Sequence, residues 1–223
     1  MTEIKLYHGS QVIIQKPVLN AGKLHNDYGQ GFYCTEQIEL AKEWACPARA
    51  DGFANCYSLN TDGLDILNLL DEKYTTLNWL AVLVANRVFD LDTPIMKQGV
   101  NHLKSHFLPD ISSYDVITGY RADDCYFSFA RAFLSNQISY EQLKLAMKLG
   151  KLGEQIVLKS VRAFEQIKYE GYQKADASIY YEKRMKRQET ARKEYQEILS
   201  EDISGLFMRE IVMEDIREND SRL

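Results

Sequence analysis

The sequence predicts an α+β fold with a helical C-terminal extension, and three observations support this prediction. Segments with strand and helix patterns follow one another without regular alternation, which favours α+β over a doubly wound sheet. The 223 residues suit one domain with an appendage and can bury a sizeable core. Charged residues become denser after about residue 173. We therefore predict a domain over residues 1–173 and a charged helical extension over 174–223 that packs on it.

The first third of the chain contains three predicted strands and one predicted helix. Residues 4–8 form the first strand, and a glycine-rich loop over 22–35 leads into the second. Thr35 is predicted to cap the helix that follows, because apolar residues recur after it at helical spacing. The third strand covers residues 55–59 and ends at the turn 60–63.

The middle of the chain is predicted to mix helices and strands irregularly. The predicted helices lie at 77–88, after Pro94, at 130–134 and at 141–149. The predicted strands lie at 114–119, 155–160 and 164–172. Ser139 and Gln142 have the spacing of a capping box, which fixes the start of the last of these helices.

The C-terminal segment has a composition of its own. Residues 171–223 carry 10 Lys+Arg and 12 Asp+Glu, so 22 of 53 residues are charged, against 37 of the preceding 170. This pattern predicts a long helix over 179–199 and a shorter one over 206–216. Acidic residues flank the basic run 183–187, which favours a solvated helix face over a surface that contacts nucleic acid or a target protein.

Composition excludes several classes of protein. The formal charge is −5, so the chain has no global attraction for nucleic acid or anionic membrane, although a local basic patch would escape this average. No signal peptide is visible, and the longest apolar run, 79–85, is far too short for a membrane span. The four cysteines lack ligand spacing, and His102 and His106 have no evident acidic third ligand. We expect a cytoplasmic protein with reduced thiols and no metal site.

Two short segments near the N-terminus carry the most specific chemistry. Leu6-Tyr7-His8-Gly9-Ser10 places a histidine at the end of a strand, followed by a glycine that lets a ligand approach the backbone. Asp27 to Thr35, with sequence DYGQGFYCT, combines two glycines with aromatic residues entering a strand. Such a loop can expose backbone N–H groups beside a flat ligand. Each segment alone also fits a structural histidine or an ordinary turn.

Taken together and in this order, these segments resemble the ADP-ribosyltransferase superfamily of the histidine–tyrosine type, and more narrowly the related domain-of-unknown-function family 3990. The resemblance covers about residues 4–170. Further matching residues are Ala41, Trp44-Ala45, Trp79, Asn86-Arg87, 114–119, 122–124 and 155–157. The resemblance implies split antiparallel β-sheets with flanking helices and a cleft that holds NAD as co-substrate.

The resemblance also implies a set of binding residues. It consists of His8, Gly9, Ser10, Tyr28, Gly31, Phe32, Tyr33, Thr35 and Arg121. In this set His8 would bond ribose hydroxyls, Gly9 would bond the nicotinamide amide and Tyr33 would stack on the nicotinamide ring. Tyr28 or Phe32 would help to close the cleft. Arg121 could contact a phosphate of NAD or pair with a neighbouring acid.

The catalytic position departs from the superfamily pattern. Cleavage of NAD passes through an oxocarbenium-like state, which a glutamate on a later strand commonly supports, and the matching residue here is Gln155. An amide orients a ribose but supplies no negative charge. Glu154 alternates to the opposite face of the strand. Asp123 and Asp124 could supply the carboxylate instead, or could simply cap the next helix.

Three functions therefore compete. The first is an ADP-ribosyltransferase, which the resemblance associates with bacterial intracellular toxins or effectors, an unknown macromolecular target and a small cognate antitoxin protein. The second is a weak or inactive member that binds NAD, a related nucleotide or a partner protein in the same cleft. The third is an interaction protein that works through its charged C-terminal segment. The nature of the target, including nucleic acid, is left open by the sequence.

Overall fold

The structure is a computed structural model that describes residues 2–122, 124–149, 154–201 and 203–223, without the side chains of Asp124 and Cys125. The described strands are β1 (Glu3–Ser10), β2 (Phe32–Cys34), β3 (Gly52–Asn60), β4 (Ile66–Asn68), β5 (Val116–Tyr120), β6 (Glu154–Leu158) and β7 (Ile167–Ala175). The described helices are α1 (Ile38–Ala45), α2 (Thr76–Asn86), α3 (Pro94–His106), α4 (Asp124–Leu134), α5 (Tyr140–Ala146), α6 (Val161–Gln166), α7 (Ala177–Ser200) and α8 (Met208–Met213). The predicted α+β class is confirmed.

The strands form two sheets. The first has the order β1-β3-β7 and is antiparallel throughout. The second has the order β2-β6-β5-β4, in which β4 and β5 run parallel. This sheet is therefore mixed, whereas a purely antiparallel pair of sheets was expected. The crossover from β4 to β5 contains α2 and α3, which gives the chain enough length to return in the parallel direction.

Within the described ranges, one backbone bridge joins the two sheets. Tyr7 and Thr35 exchange N–H···O bonds of 2.8 and 3.0 Å, so β1 and the end of β2 lie side by side there. Away from the bridge the sheets separate. The split places the end of β1, which carries His8, next to Tyr33 on β2.

Helix boundaries follow local hydrogen bonds. The predicted capping box is confirmed, because Gln142 N donates to Ser139 Oγ at 3.2 Å and Ser139 N to Gln142 Oε1 at 2.9 Å. The predicted cap at Thr35 is wrong. Helix α1 begins at Ile38, after Gln37, and Thr35 Oγ1 accepts a bond from the Gln37 N–H at 3.2 Å.

The predicted strand over 164–172 is wrong in its first part. Ser160 caps a short helix by accepting a bond from Ala163 N at 3.1 Å, and α6 continues to Gln166 before β7 begins. The side-chain cap at Ser160 thus favours a helix in a segment whose apolar residues also suit a strand.

The described residues form three apolar clusters. The largest is built mainly from α2, α3, α4 and α5, and it includes Ala191 of α7, Met208 and Ile211 of α8, and Ile216. The second lies between the sheets and contains Leu6, Phe32 and Tyr57 among others. The third is small and joins the end of α1 to the end of β7 and the start of α7. Residues from the C-terminal segment thus enter the main core. No helix in the described ranges is long and apolar enough to cross a membrane.

Candidate functional site

A cleft of about 930 Å³ opens where the two sheets separate. Its volume lies within the range of small-molecule sites. Seven of the predicted site residues line it, and three of these come from distant parts of the sequence: His8 at the end of β1, Tyr33 on β2 and Gln155 on β6. The antiparallel pairing of β2 with β6, which sets Tyr33 opposite Val157, brings the last two onto neighbouring strands.

The His8 ring is held in one tautomer. Its Nδ1 lies 2.7 Å from the Tyr33 carbonyl oxygen, which can only accept, so Nδ1 carries the proton. Burial lowers the pKa of His8 below its usual value of 6.5, which keeps the ring neutral. The ring also stacks on Phe32, with centroids 4.5 Å apart. Nε2 has no hydrogen-bond partner within the described residues, so His8 offers an acceptor to a ligand.

The Tyr33 ring is fixed by the loop that precedes it. Its hydroxyl donates to the Gly29 carbonyl at 2.5 Å and accepts from the Tyr28 N–H at 3.1 Å. Gly29 has φ +74°, a left-handed conformation that glycine adopts without strain. The turn at Gly29 thereby brings the backbone of the loop into contact with the Tyr33 hydroxyl. The two hydrogen bonds hold the ring in one orientation, in which it lines the cleft.

Gln155 is paired with a carboxylate that sequence reasoning had not placed in the site. Its Nε2 donates to Asp27 Oδ2 at 2.9 Å, and the same oxygen accepts from Ala122 N at 2.9 Å. Both Gln155 and Asp27 are nearly inaccessible to solvent, at 4% and 3% exposure. Because Nε2 is engaged, Oε1 is the part of the amide that remains to accept a bond; no hydrogen bond to it occurs within the described residues.

The charge on Asp27 is partly compensated. Arg87 NH1 lies 3.2 Å from Asp27 Oδ1. Burial raises the pKa of Asp27, and the bonds from Gln155 and Ala122 and the positive charge of Arg87 oppose that rise. The ion pair thus joins Arg87, at the end of α2, to Asp27, at the start of the glycine-rich segment, in the wall of the cleft.

The cleft is strongly cationic. The described basic residues that line it are Lys16, Lys23, Arg87, Arg121 and Arg184, while Asp27 is the one acid among the described lining residues. The Arg121 guanidinium lies 4.5 Å from the centroid of the Trp44 ring. The Trp44 indole N–H is buried and has no hydrogen-bond partner within the described part of the chain. Such a surface suits a ligand with several negative charges.

The basic run 183–187 on α7 was predicted to be a solvated helix face, and the structure corrects this prediction. Lys183 and Arg187 form ion pairs with Glu39 and Glu43 of α1. These pairs hold α7 against α1, and Arg184, between them in sequence, lines the cleft while its NH1 donates to the Pro47 carbonyl at 3.1 Å. The charged extension therefore contributes to the site.

Three residues of the expected binding set do not line the cleft. Tyr28 is fully buried in the main core, and its hydroxyl donates to the Tyr120 carbonyl at 2.7 Å. Thr35 is 1% exposed and belongs to the bridge between the sheets. Ser10 Oγ accepts from the Val12 N–H at 3.1 Å at the edge of the first sheet. These positions suit structural roles.

Gly9, Gly31 and Phe32 line the cleft but also have packing roles. A Cβ on Gly9 would lie 2.0 Å from the Ala41 carbonyl oxygen, so this glycine lets α1 approach β1. A Cβ on Gly31 would lie 2.6 Å from a methyl carbon of Val157. Phe32 is only 9% exposed and supports the His8 ring from behind.

Of the predicted pair of carboxylates, Asp123 lies outside the described residues, and so does the side chain of Asp124, whose backbone begins α4. Among the functional candidates that sequence reasoning missed, Asp27 had a signal: it stands at the start of the segment that carries Tyr33. Trp44 and Arg87 also belong to the matching residues quoted above, whereas nothing in the sequence distinguished Arg184 from its basic neighbours.

Comparison with known proteins defines the family. No curated protein and no solved structure matches the chain. The family model described as protein of unknown function (DUF3990) matches residues 4–169, which is well over half of the 223 residues. The chain therefore belongs to the DUF3990 family.

Proposed function

We propose that the cleft binds NAD as a co-substrate and that the protein transfers ADP-ribose from it to a macromolecular target. One observation carries the proposal: His8, Tyr33 and Gln155 line the same cleft. Their roles come from the resemblance to ADP-ribosyltransferases of the histidine–tyrosine type. The position of the three side chains on neighbouring strands supports those roles independently of the sequence pattern.

The charges of the cleft favour the pyrophosphate of NAD. Five basic residues face one acid among the described lining residues, and that acid is already paired with Arg87. Arginine side chains bind phosphate oxygens through two parallel N–H···O bonds, and lysines add point charges. Arg121 over the Trp44 ring and Arg184 on α7 are the arginines that we assign to the phosphates.

The neutral His8 suits a ribose hydroxyl. Its Nδ1–H is used by the Tyr33 carbonyl, so Nε2 accepts a bond from a hydroxyl of the ligand. The Tyr33 ring, which its own hydroxyl holds in place, offers a flat face for the nicotinamide. Because the Tyr33 carbonyl orients the His8 ring and the Gly29 carbonyl orients the Tyr33 ring, little conformational entropy is lost on binding.

The reaction breaks the bond between the nicotinamide nitrogen and C1 of the ribose. Nicotinamide leaves with the electron pair, and a nucleophile of the target forms a new bond to C1 and loses its proton. Positive charge develops on the ribose in between. Gln155 Oε1 accepts from a ribose hydroxyl, and the Asp27 carboxylate behind Nε2 polarises the amide and makes that oxygen a better acceptor. We assign to this pair the function that a glutamate has elsewhere.

A second candidate is a module that binds NAD or another nucleotide without cleaving it. It is favoured by the same residues, because Gln155 is uncharged and Arg87 compensates the charge on Asp27. The proposal that the protein acts as a bacterial effector or toxin with a small cognate inhibitor rests on the resemblance alone.

Nicotinamide release distinguishes the candidates. The purified protein is incubated with NAD and candidate targets, and free nicotinamide is measured for the wild type, His8→Ala and Tyr33→Ala. Tyr172→Ala, which removes an exposed tyrosine of β7, is the control. Release by the wild type and the control but not by the two cleft variants supports the transferase. Binding without release supports the second candidate, and absence of both contradicts either function.

A further inference from the structure

A second cluster of ligating side chains lies far along the chain from the cleft residues. His102 and His106 are one turn apart on α3, and Asp215 follows α8. One nitrogen of each histidine and one carboxylate oxygen of Asp215 all lie within 4.8 Å of one another. The two rings have centroids 4.6 Å apart. The i, i+4 histidine pair was visible in the sequence, but the acid is 109 positions beyond His106 and only the fold brings it there.

His102 is oriented as a metal-binding histidine is. Its Nε2 lies 2.8 Å from the Ile216 carbonyl oxygen, which only accepts, so Nε2 carries the proton and Nδ1 carries the lone pair. A ligating histidine usually donates its other N–H to a carbonyl or carboxylate, which fixes the tautomer and the ring orientation. Ile216 is adjacent to Asp215, so the segment that provides the acid also orients the first histidine.

Asp215 is held toward the histidines by its backbone and by a neighbouring cation. It has φ +51°, a conformation that few residues other than glycine adopt and that aspartate tolerates. Arg217 donates to Oδ2 at 2.6 Å, while Oδ1 faces His106 Nε2 at 3.6 Å. This last separation is too long for a hydrogen bond. It is close to the spacing of about 3.3 Å that two ligands on a tetrahedral zinc adopt with bonds of about 2.0 Å.

We propose that His102, His106 and Asp215 form a binding site for a divalent transition metal, with Zn²⁺ as the best fit. Imidazole nitrogen and carboxylate oxygen are ligands that zinc prefers, and three protein ligands leave a fourth position for water. The bound ion connects the end of α3 to the turn after α8. It thereby fastens to the helical core a segment beyond residue 169, where the family match ends. Arg217 partly opposes the ion's charge but leaves Oδ1 available.

The test measures metal binding by the full-length protein. Zn²⁺ is titrated by calorimetry, and Tm is recorded with Zn²⁺ and with chelator for the wild type, His106→Ala and Asp215→Asn. Asparagine keeps the size of the side chain and also tolerates the left-handed backbone. His25→Ala, which removes an exposed histidine outside the cluster, is the matched control. Co²⁺ absorption identifies nitrogen and oxygen ligands and excludes binding by free cysteines such as Cys56.

We expect one Zn²⁺ per chain and a rise in Tm of about 5–10 °C at hundredfold excess over Kd. The two cluster variants should bind at least tenfold more weakly, whereas the control should bind as the wild type does. The proposal is overturned if the wild type does not bind, or if either variant keeps the wild-type affinity. It is also overturned if Co²⁺ gives thiolate bands. Because NAD plays no part in the test, its outcome is independent of the proposed transferase function.

Discussion

Asp27 offers the sharpest test of how the cleft wall is built. Its side chain is 4% exposed and accepts bonds from three donors: Gln155 Nε2, Ala122 N and Arg87 NH1. Asp27→Ala removes both acceptor oxygens and so leaves all three donors without this partner. Arg87 is 30% exposed and can turn to water, but the other two donors are buried. A buried donor without a partner costs about 1–3 kcal/mol, so we expect a loss of about 3 kcal/mol in the free energy of unfolding.

Asp27→Asn separates hydrogen bonding from charge. If its amide oxygen takes the place of Oδ2, it retains the bonds from Gln155 and Ala122, and only the contact with Arg87 is lost. Burial already raises the pKa of Asp27, so the neutral side chain avoids part of the desolvation cost. We therefore expect Asp27→Asn to cost about 1 kcal/mol or less.

Urea denaturation and thermal unfolding, both followed by circular dichroism, measure the stability of both variants. For a chain of this length, a loss of about 3 kcal/mol corresponds to a fall in Tm of about 6–12 °C. Asp92→Asn, which breaks an exposed pair with Arg131, is the control and should leave the midpoint unchanged. The reasoning is refuted if Asp27→Ala stays within about 1 kcal/mol of the wild type, or if Asp27→Asn is as damaging as the alanine variant.

Three further predictions concern other parts of the site. Burial lowers the pKa of His8, so as pH falls the unfolded chain binds this proton before the folded chain does. The contribution of His8 to the free energy of unfolding is therefore present above about pH 6.5 and is lost as pH falls toward the folded pKa. NAD affinity, measured by calorimetry, should weaken in the same direction. An NAD affinity that increases as the pH falls below 6.5 would contradict the role of neutral His8 as an acceptor. Gly9→Ala should destabilise the fold by about 1–3 kcal/mol in urea, since its Cβ meets the Ala41 carbonyl, and wild-type stability would mean that α1 does not pack so closely. Arg184→Ala should weaken NAD binding and reduce its salt dependence, whereas the neighbouring Lys186→Ala should not; equal effects would remove Arg184 from the site.

The sequence predicted the parts of the site that depend on local pattern. His8 and Tyr33 stand in short segments whose glycines and aromatic residues are specific in combination, and strand periodicity placed Gln155 on β6. The helix start at Ser139 was also predictable, because a capping box depends on residues three apart. These features need no knowledge of the rest of the fold.

Contacts between distant residues were not predictable in the same way. Asp27 and Gln155 are 128 positions apart and meet only because β6 pairs with β2. The role of Arg184 depends on where α7 crosses α1, which the ion pairs to Glu39 and Glu43 determine. The parallel pairing of β4 with β5 was missed because β4, a strand of only three residues, was itself not predicted. Tyr28 resembled a cleft residue in sequence, yet its side chain enters the core.

The most direct test of the account is calorimetric titration of NAD into the wild-type protein and into His8→Ala. We predict saturable binding of one NAD per chain and a loss of affinity of at least tenfold in the variant, because the ribose then loses the acceptor at Nε2. No binding at millimolar NAD, or equal affinity in the two proteins, would contradict the claim that the cleft between His8, Tyr33 and Gln155 is an NAD site.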